Sequence, residues 1–218
     1  MSAMVVDNKG RLIGVINIDD VVEIVHEETN EDMMLLTGAE SNDVYRSVFS
    51  IFKSRSIWLV TNLFATIVAA SVVGEFQDII AQLSILAVLM PIVASMGGTT
   101  GQQTLAVVVR SLATKELNSR NALRMIGKEF MVGLCNGLLF AVMIGIAVRI
   151  WFPGQEMISY IIALAMLCNL TVASLAGILI PLTINRLKID PAIASGVFLI
   201  ACTDSGGYFI FLGLAKLL

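Results

Sequence analysis

The chain has 218 residues, 57% of them hydrophobic and 14% charged, with a net charge of −3 and one histidine. Soluble domains carry about 25% charged residues, and the mean hydropathy here is +0.86. These values exclude a soluble enzyme, a disordered chain and a nucleic-acid binder, and they define an all-α polytopic membrane protein.

Charge is divided unevenly along the chain. Residues 1–43 hold ten acids and two bases, net −8, while residues 44–218 hold twelve bases and seven acids, net +5. An acidic, water-soluble head therefore precedes a basic membrane body. The first apolar span begins too far in for a secretory signal peptide. Cys135, Cys168 and Cys202 sit in apolar runs and are expected to be buried free thiols.

Residues 4–6 and 12–18 are short apolar runs separated by Asp7-Asn8-Lys9-Gly10, the pattern of a β-hairpin. A lone hairpin is marginal, so this segment reads as the tail of a larger soluble domain. Asp19 and Asp20 supply an N-cap, and Asp20 with Glu23 has capping-box spacing. An amphipathic acidic helix is expected from Val21 to about Leu36–Thr37, stopping at Gly38. Its acids Asp20, Glu27, Glu28, Glu31 and Asp32 offer a place for divalent ions, or simply a solvated face.

Five spans follow. A bilayer core of about 30 Å needs about 20 helical residues. Residues 57–74, 79–109, 130–148 and 157–185 are free of charge, and residues 191–218 carry only Asp204 and Lys216. A straight helix over 79–109 would be about 46 Å long, so this run must tilt, break or protrude. The break is expected at Pro91 and Gly97-Gly98, within Pro91-Ile92-Val93-Ala94-Ser95-Met96-Gly97-Gly98-Thr99-Thr100-Gly101-Gln102-Gln103. Irregular backbone at membrane depth is tolerated where it is buried or lines a wet cavity, and broken helices mark substrate sites in transporters. The competing reading is close helix packing through small residues. Asn62, Asn136 and Asn169 read as interhelical glue.

Lys and Arg in the loops set the orientation. With the N-terminus inside, the inner side holds Lys9, Arg11, Arg46, Lys53, Arg55, Arg110, Lys115, Arg120, Arg124, Lys128, Arg186 and Lys188, and the outer side holds Arg149 and Lys216. The C-terminus then lies outside.

Asp204 is the only acid deep within a span. An Asp at the bilayer centre costs about 2.5–3.5 kcal/mol on insertion scales, an expense that points to an ion path; the competing reading is a satisfied structural hydrogen bond. Asp190 precedes it by 14 positions, so a helix would carry both on nearly one face, about 21 Å apart. Asp190 beside Pro191 also suits a simple N-cap. Asp204-Ser205-Gly206-Gly207 mimics a serine-protease string, but its flanks are a membrane span and His26 lies in the acidic head. His26-Glu27-Glu28 lacks the second histidine of a zinc motif. A carboxylate-lined path suits Mg²⁺, a hard cation that keeps its waters. A two-fold axis would bring two Asp204 carboxylates together.

The chain resembles the MgtE-type magnesium channels and transporters. The resemblance rests on Pro91 with Gly97-Gly98-x-x-Gly101-x-Gln103, on Val109-Arg110-x-Leu112-Ala113, on Leu182-x-x-x-Arg186-Leu187-x-x-Asp190-Pro191-Ala192 and on Thr203-Asp204. It implies the end of a cystathionine-β-synthase domain over residues 1–18, an acidic plug helix and linker over 19–54, and a five-span pore domain over 55–218. It also implies a homodimer in the cell membrane, conducting hydrated Mg²⁺ along its axis between the second and fifth spans, with Mg²⁺ as substrate and regulator. By the resemblance Asp204 holds the hydrated ion and Asp190 lies near the inner gate. Asp20, Glu28, Glu31 and Asp32 are then plug-helix acids that bind regulatory Mg²⁺. Pro91, Gly97, Gly98, Thr99, Gly101, Gln103, Gly196, Ala201, Thr203 and Gly207 line the pore. Thr99 and Gly196 stand where members carry Asn. The alternative is a divalent-cation exchanger coupled to Na⁺ or H⁺.

Overall fold

The computed structural model describes residues 2–40, 43–117 and 121–217. Arg120 of the charge count lies outside them. Strands β1 (Ser2–Val6) and β2 (Leu12–Asn17) pair antiparallel. Asp7 builds the turn, its Oδ1 accepting the backbone N–H groups of Lys9 and Arg11, and Gly10 takes φ +77°. Helix α1 (Ile18–Leu35) follows directly. Its N-cap is Asn17, whose N–H donates to Asp20 Oδ2 at 2.8 Å. The capping box thus sits one turn earlier than the expected Asp20–Glu23 pair. Gly38 ends the segment at φ +71°, a left-handed conformation that glycine adopts without penalty.

Five helices are long and apolar enough to cross a membrane: α2 (Val48–Gly74), α4 (Ile85–Ala113), α5 (Ala122–Trp151), α6 (Glu156–Arg186) and α7 (Pro191–Leu217). The expected break in the second run exists but lies elsewhere. Short helix α3 (Gln77–Gln82) ends at Leu83, φ −125° and ψ 75°, and α4 then runs unbroken through Pro91, Gly97 and Gly98. Proline removes one backbone bond. The rest of the ladder persists because an unpaired backbone group has no partner in lipid.

Helix α6 is the central post. It packs against α4, α5 and α7, while α2 packs chiefly along α7. The α5–α6 seam uses a ladder of small residues, Gly133, Gly137, Ala141 and Gly145. A Cβ on Gly133 would come within 2.8 Å of Ser174, and one on Gly137 within 2.9 Å of the Leu167 carbonyl. Small residues at four-residue spacing let helix backbones approach in lipid, where no hydrophobic effect drives them together. Two hydroxyls add cross-helix bonds: Ser159 donates to Gly145 O at 2.8 Å, and Thr104 of α4 to Glu129 Oε2 of α5 at 2.9 Å. The cysteines are free, but Cys135 and Cys202 are exposed and Cys168 half-buried. The expectation of burial fails because apolar spans also present faces outward to lipid.

Candidate functional site

Asp204 stands at the centre of α7, the fourteenth of 27 residues, about 20 Å from either helix end at 1.5 Å per residue. Among the described residues no hydrogen bond or ion pair reaches its carboxylate. It borders a 250 Å³ pocket with Tyr208 one turn along α7, Met90 of α4, and Thr66, Ala69, Ala70 and Val73 of α2. An intramembrane charge is normally paired or hydrogen-bonded. The described residues supply Asp204 with neither.

Helix α4 shows two different sides. Pro91, Ser95, Thr99, Gln102 and Gln103 are exposed and Gly98 is half-exposed with open space beside it. The Thr99 hydroxyl donates to Ser95 O at 2.8 Å and leaves its own lone pairs free. Ser95 and Gln102 are thus polar members of this face that the motif did not single out. Gly97 and Gly101 lie inside the bundle. A Cβ on Gly97 would fall 2.6 Å from Asn169 Nδ2, and one on Gly101 2.9 Å from Leu199 Cδ1. On α7, Gly207 also meets the Asn169 side chain, and Thr203 is buried with its hydroxyl turned back to Leu199 O. Gly196 lies beneath the Leu36 carbonyl, 2.9 Å from its would-be Cβ. Ala201 is half-exposed and faces α2. Close packing through small residues therefore describes Gly97, Gly101, Gly196 and Gly207, and the open face belongs to Pro91, Gly98, Thr99 and Gln103.

Asn169 ties these helices together. It is 1% exposed, and its Nδ2 donates to Val93 O of α4 at 2.7 Å. Glycines on α4 and α7 make room for its amide on either side. This is the interhelical role expected of it.

The acidic residues separate into two places. Asp20 caps α1 at its start, about 18 Å from Asp32 along the helix. Asp32 is half-buried, and burial first, then the carboxylates of Asp190, Glu28 and Glu31, hold its carboxyl above the usual range. Asp190 Oδ1 accepts the Ala192 N–H at 2.8 Å and so caps α7. The N-cap reading of Asp190 is realised, and the same residue also stands in the electrostatic neighbourhood of α1. Leu35 and Leu36 seat this end of α1 on Leu105, Val109, Ala176, Ala192 and Leu199.

Five helices long and apolar enough to span a membrane, with a carboxylate midway along one of them and an acidic helix docked over one end, define an integral membrane protein. Residues 90–214 match the MgtE family, described as divalent cation transporters, and the chain belongs to that family. It is 33% identical to a magnesium transporter MgtE of Enterococcus faecalis over its whole length, covering 48% of that protein. It is 31% identical to the Bacillus subtilis transporter of the same name over 97% of this chain and 47% of that one, and 29% identical to the Thermus thermophilus one over 98% and 48%. The chain spans about half the length of the curated relatives it matches.

Proposed function

We propose that this chain forms the membrane pathway of a magnesium channel, in which hydrated Mg²⁺ passes along a homodimer axis and internal Mg²⁺ closes the path through α1. The names of the three relatives support the substrate. The observation that carries the reading is Asp204, a carboxylate midway along α7 with no partner among the described residues. A cation is the remaining source of compensation. Two copies across a two-fold axis give two carboxylates, which repel each other unless a divalent ion lies between them. Mg²⁺ dehydrates reluctantly, so Asp204 engages its hydration shell, and the Ser95, Thr99 and Gln102 face of α4 offers further oxygen acceptors to those waters.

Charge supports an N-terminus inside and a C-terminus outside. Lys53, Arg55, Arg110, Lys115, Arg124, Lys128, Arg186 and Lys188 gather at the end of the bundle where α2, α5 and α7 begin. At the other end Arg149 pairs with Glu156 at 2.8 Å and Lys216 lies 5.7 Å above the Phe76 ring. For closure, Asp190, Glu28 and Glu31 each repel Asp32; among the described residues no three acids are grouped closely enough to hold one metal ion, so divalent ions gathered along this acidic end relieve the repulsion and seat α1.

The test is Mg²⁺ flux into proteoliposomes under an imposed voltage. Asp204→Asn keeps the shape and removes the charge, and it should abolish flux while the protein stays folded and dimeric. Wild-type flux in a well-folded Asp204→Asn protein overturns the pore assignment. Flux that requires a Na⁺ or pH gradient assigns a coupled exchanger instead, and a protein monomeric under active conditions removes the axis.

A further inference from the structure

The acids of α1 account for an ion-sensing surface but not for where the helix comes to rest. Between α1 and α2 the chain makes a built joint. After α1, Gly38 turns at φ +71° directly against the Trp58 indole; its would-be Cβ lies 2.6 Å from Cγ of that ring. The turn is closed by backbone bonds from Gly38 N–H to Leu35 O and from Ala39 N–H to Met34 O. Glu40 then accepts the Ser54 hydroxyl at 2.6 Å and pairs with Arg46. Asp43 lies between two guanidinium groups, 3.1 Å from Arg46 Nη1 and 2.7 Å from Arg55 Nη2. Its side chain is 13% exposed and that of Arg46 23%. Arg46 Nη2 also donates to Ser50 Oγ at 2.9 Å. Ser50, Ser54, Arg55 and Trp58 all belong to α2.

Isolated surface ion pairs contribute little, but a partly dried, alternating network with a forked Arg–carboxylate contact is stronger. Here two acids and two bases are arranged so that every charge has an opposite neighbour, and an aromatic ring blocks the turn beside them. The cluster ties Glu40, Asp43 and Arg46 to the start of α2, so the pivot of α1 is anchored there, and a swing of α1 at Gly38 must slide the turn against the Trp58 ring. Helix α2 in turn borders the Asp204 pocket through Thr66, Ala69, Ala70 and Val73.

We infer that Trp58 and the Glu40–Arg46–Asp43–Arg55 cluster are positioning residues that fix the seat of α1 over Gly196 and couple its movement to the first span. This rests on the reading of α1 as the Mg²⁺-operated closing element. The acids then set the affinity for the ion, and the joint sets how much of that affinity is converted into closure.

The experiment uses the whole chain in proteoliposomes with Asp43→Asn, Trp58→Ala, and the conservative Asp43→Glu and Trp58→Phe. Two quantities are read: the internal Mg²⁺ concentration at half-closure, and hydrogen exchange of the amides of residues 30–39. Coupling energies of the usual size predict a half-closing concentration raised about two- to thirtyfold. Maximal flux at low Mg²⁺ should be unchanged, amide exchange in that segment faster, and both effects reversed in the conservative variants. A purely structural defect would lower maximal flux as well. If wild-type flux ignores internal Mg²⁺, the closing role of α1 fails while the exchange measurement still tests the joint. Exchange in Asp43→Asn and Trp58→Ala equal to wild type overturns the inference. So does faster exchange with an unshifted half-closing concentration in a protein that Mg²⁺ closes.

Discussion

The contact between Gly97 and Asn169 can be tested by a double-mutant cycle. Asn169→Ala removes the bond to Val93 O. Interhelical hydrogen bonds in membrane proteins average about 0.6 and reach about 1.7 kcal/mol. The lost amide leaves roughly 25–30 Å³, or about 0.7 kcal/mol at about 24 cal/mol per Å³. The single variant should therefore lose about 1.3–2.4 kcal/mol. Gly97→Ala places a methyl 2.6 Å from Asn169 Nδ2 and 3.0 Å from its Oδ1. Overpacking costs about 1–3 kcal/mol, against a gain of up to about 1 kcal/mol in helix propensity. In the double variant the methyl enters the space the amide vacated and the propensity gain remains. Gly97→Ala/Asn169→Ala should then be at least as stable as Asn169→Ala alone, a favourable coupling of about 1–3 kcal/mol. Unfolding in detergent micelles followed by far-ultraviolet circular dichroism measures all four corners. Additivity within about 0.5 kcal/mol would mean that Gly97 does not face the amide, and the packing assignment for that face of α4 would be wrong.

Acid should first tighten and then loosen α1. The carboxyl of Asp32 is held above its ordinary value in the docked state, so docking binds a proton and, without divalent ions, strengthens as pH falls from neutrality toward that raised value. Glu40 is held low first by the Ser54 hydroxyl and then by Arg46, and Asp43 first by Arg55. Their contribution is present above the ordinary carboxylate range and is lost as pH falls below about 4. Proteolysis of α1 in chelator should pass through a minimum near that pH, and the upper limb should vanish in Asp32→Asn; cleavage that only rises from pH 7 downward refutes the assignment. Gly177→Ala sets a Cβ 2.6 Å from the Gly101 carbonyl and 2.8 Å from Thr104 Cβ, backbone that cannot yield, so it should lose at least about 1–3 kcal/mol. Gly98→Ala meets open space and should be neutral or stabilising by up to about 1 kcal/mol. Equal melting temperatures for the two would count against the α4–α6 seam.

The five spans were legible because charge-free runs of this length in lipid must satisfy their backbone internally, which leaves only helix. Asp204 was legible as a candidate because a single acid in the middle of an apolar run is costly and stands out. The facing of the α4 glycines was not. Gly97 and Gly98 point about 100° apart, one into Asn169 and the other outward, and a helix with polar residues on its buried side (Thr100, Thr104) as well as its open one (Ser95, Thr99, Gln102) gives little contrast by which to fix its rotation. The break at Leu83–Ser84 was hidden because neither residue is a breaker, while Pro91, which is one, sits inside an intact helix. The Glu40–Arg46–Asp43–Arg55 network spans a turn, where neither helical nor strand periodicity relates its members. Glu129 stands at the polar edge of its span, and its bond to Thr104 joins residues 25 positions apart.

The arrangement of α2 bears on how the protein is made. Its main packing partner, α7, begins only after residues 75–190 have been added. At synthesis rates of about 5–20 residues per second the first span waits about 6–23 s for the last. It is suited to that wait: Thr61, Thr66 and Ser71 all turn their hydroxyls back to the carbonyl four residues earlier, so a solitary α2 offers lipid few unmet polar groups. Helices α4 to α7 share their contacts around α6, whereas α2 packs chiefly along α7. The ribosome thus delivers α2 well before the span it packs on.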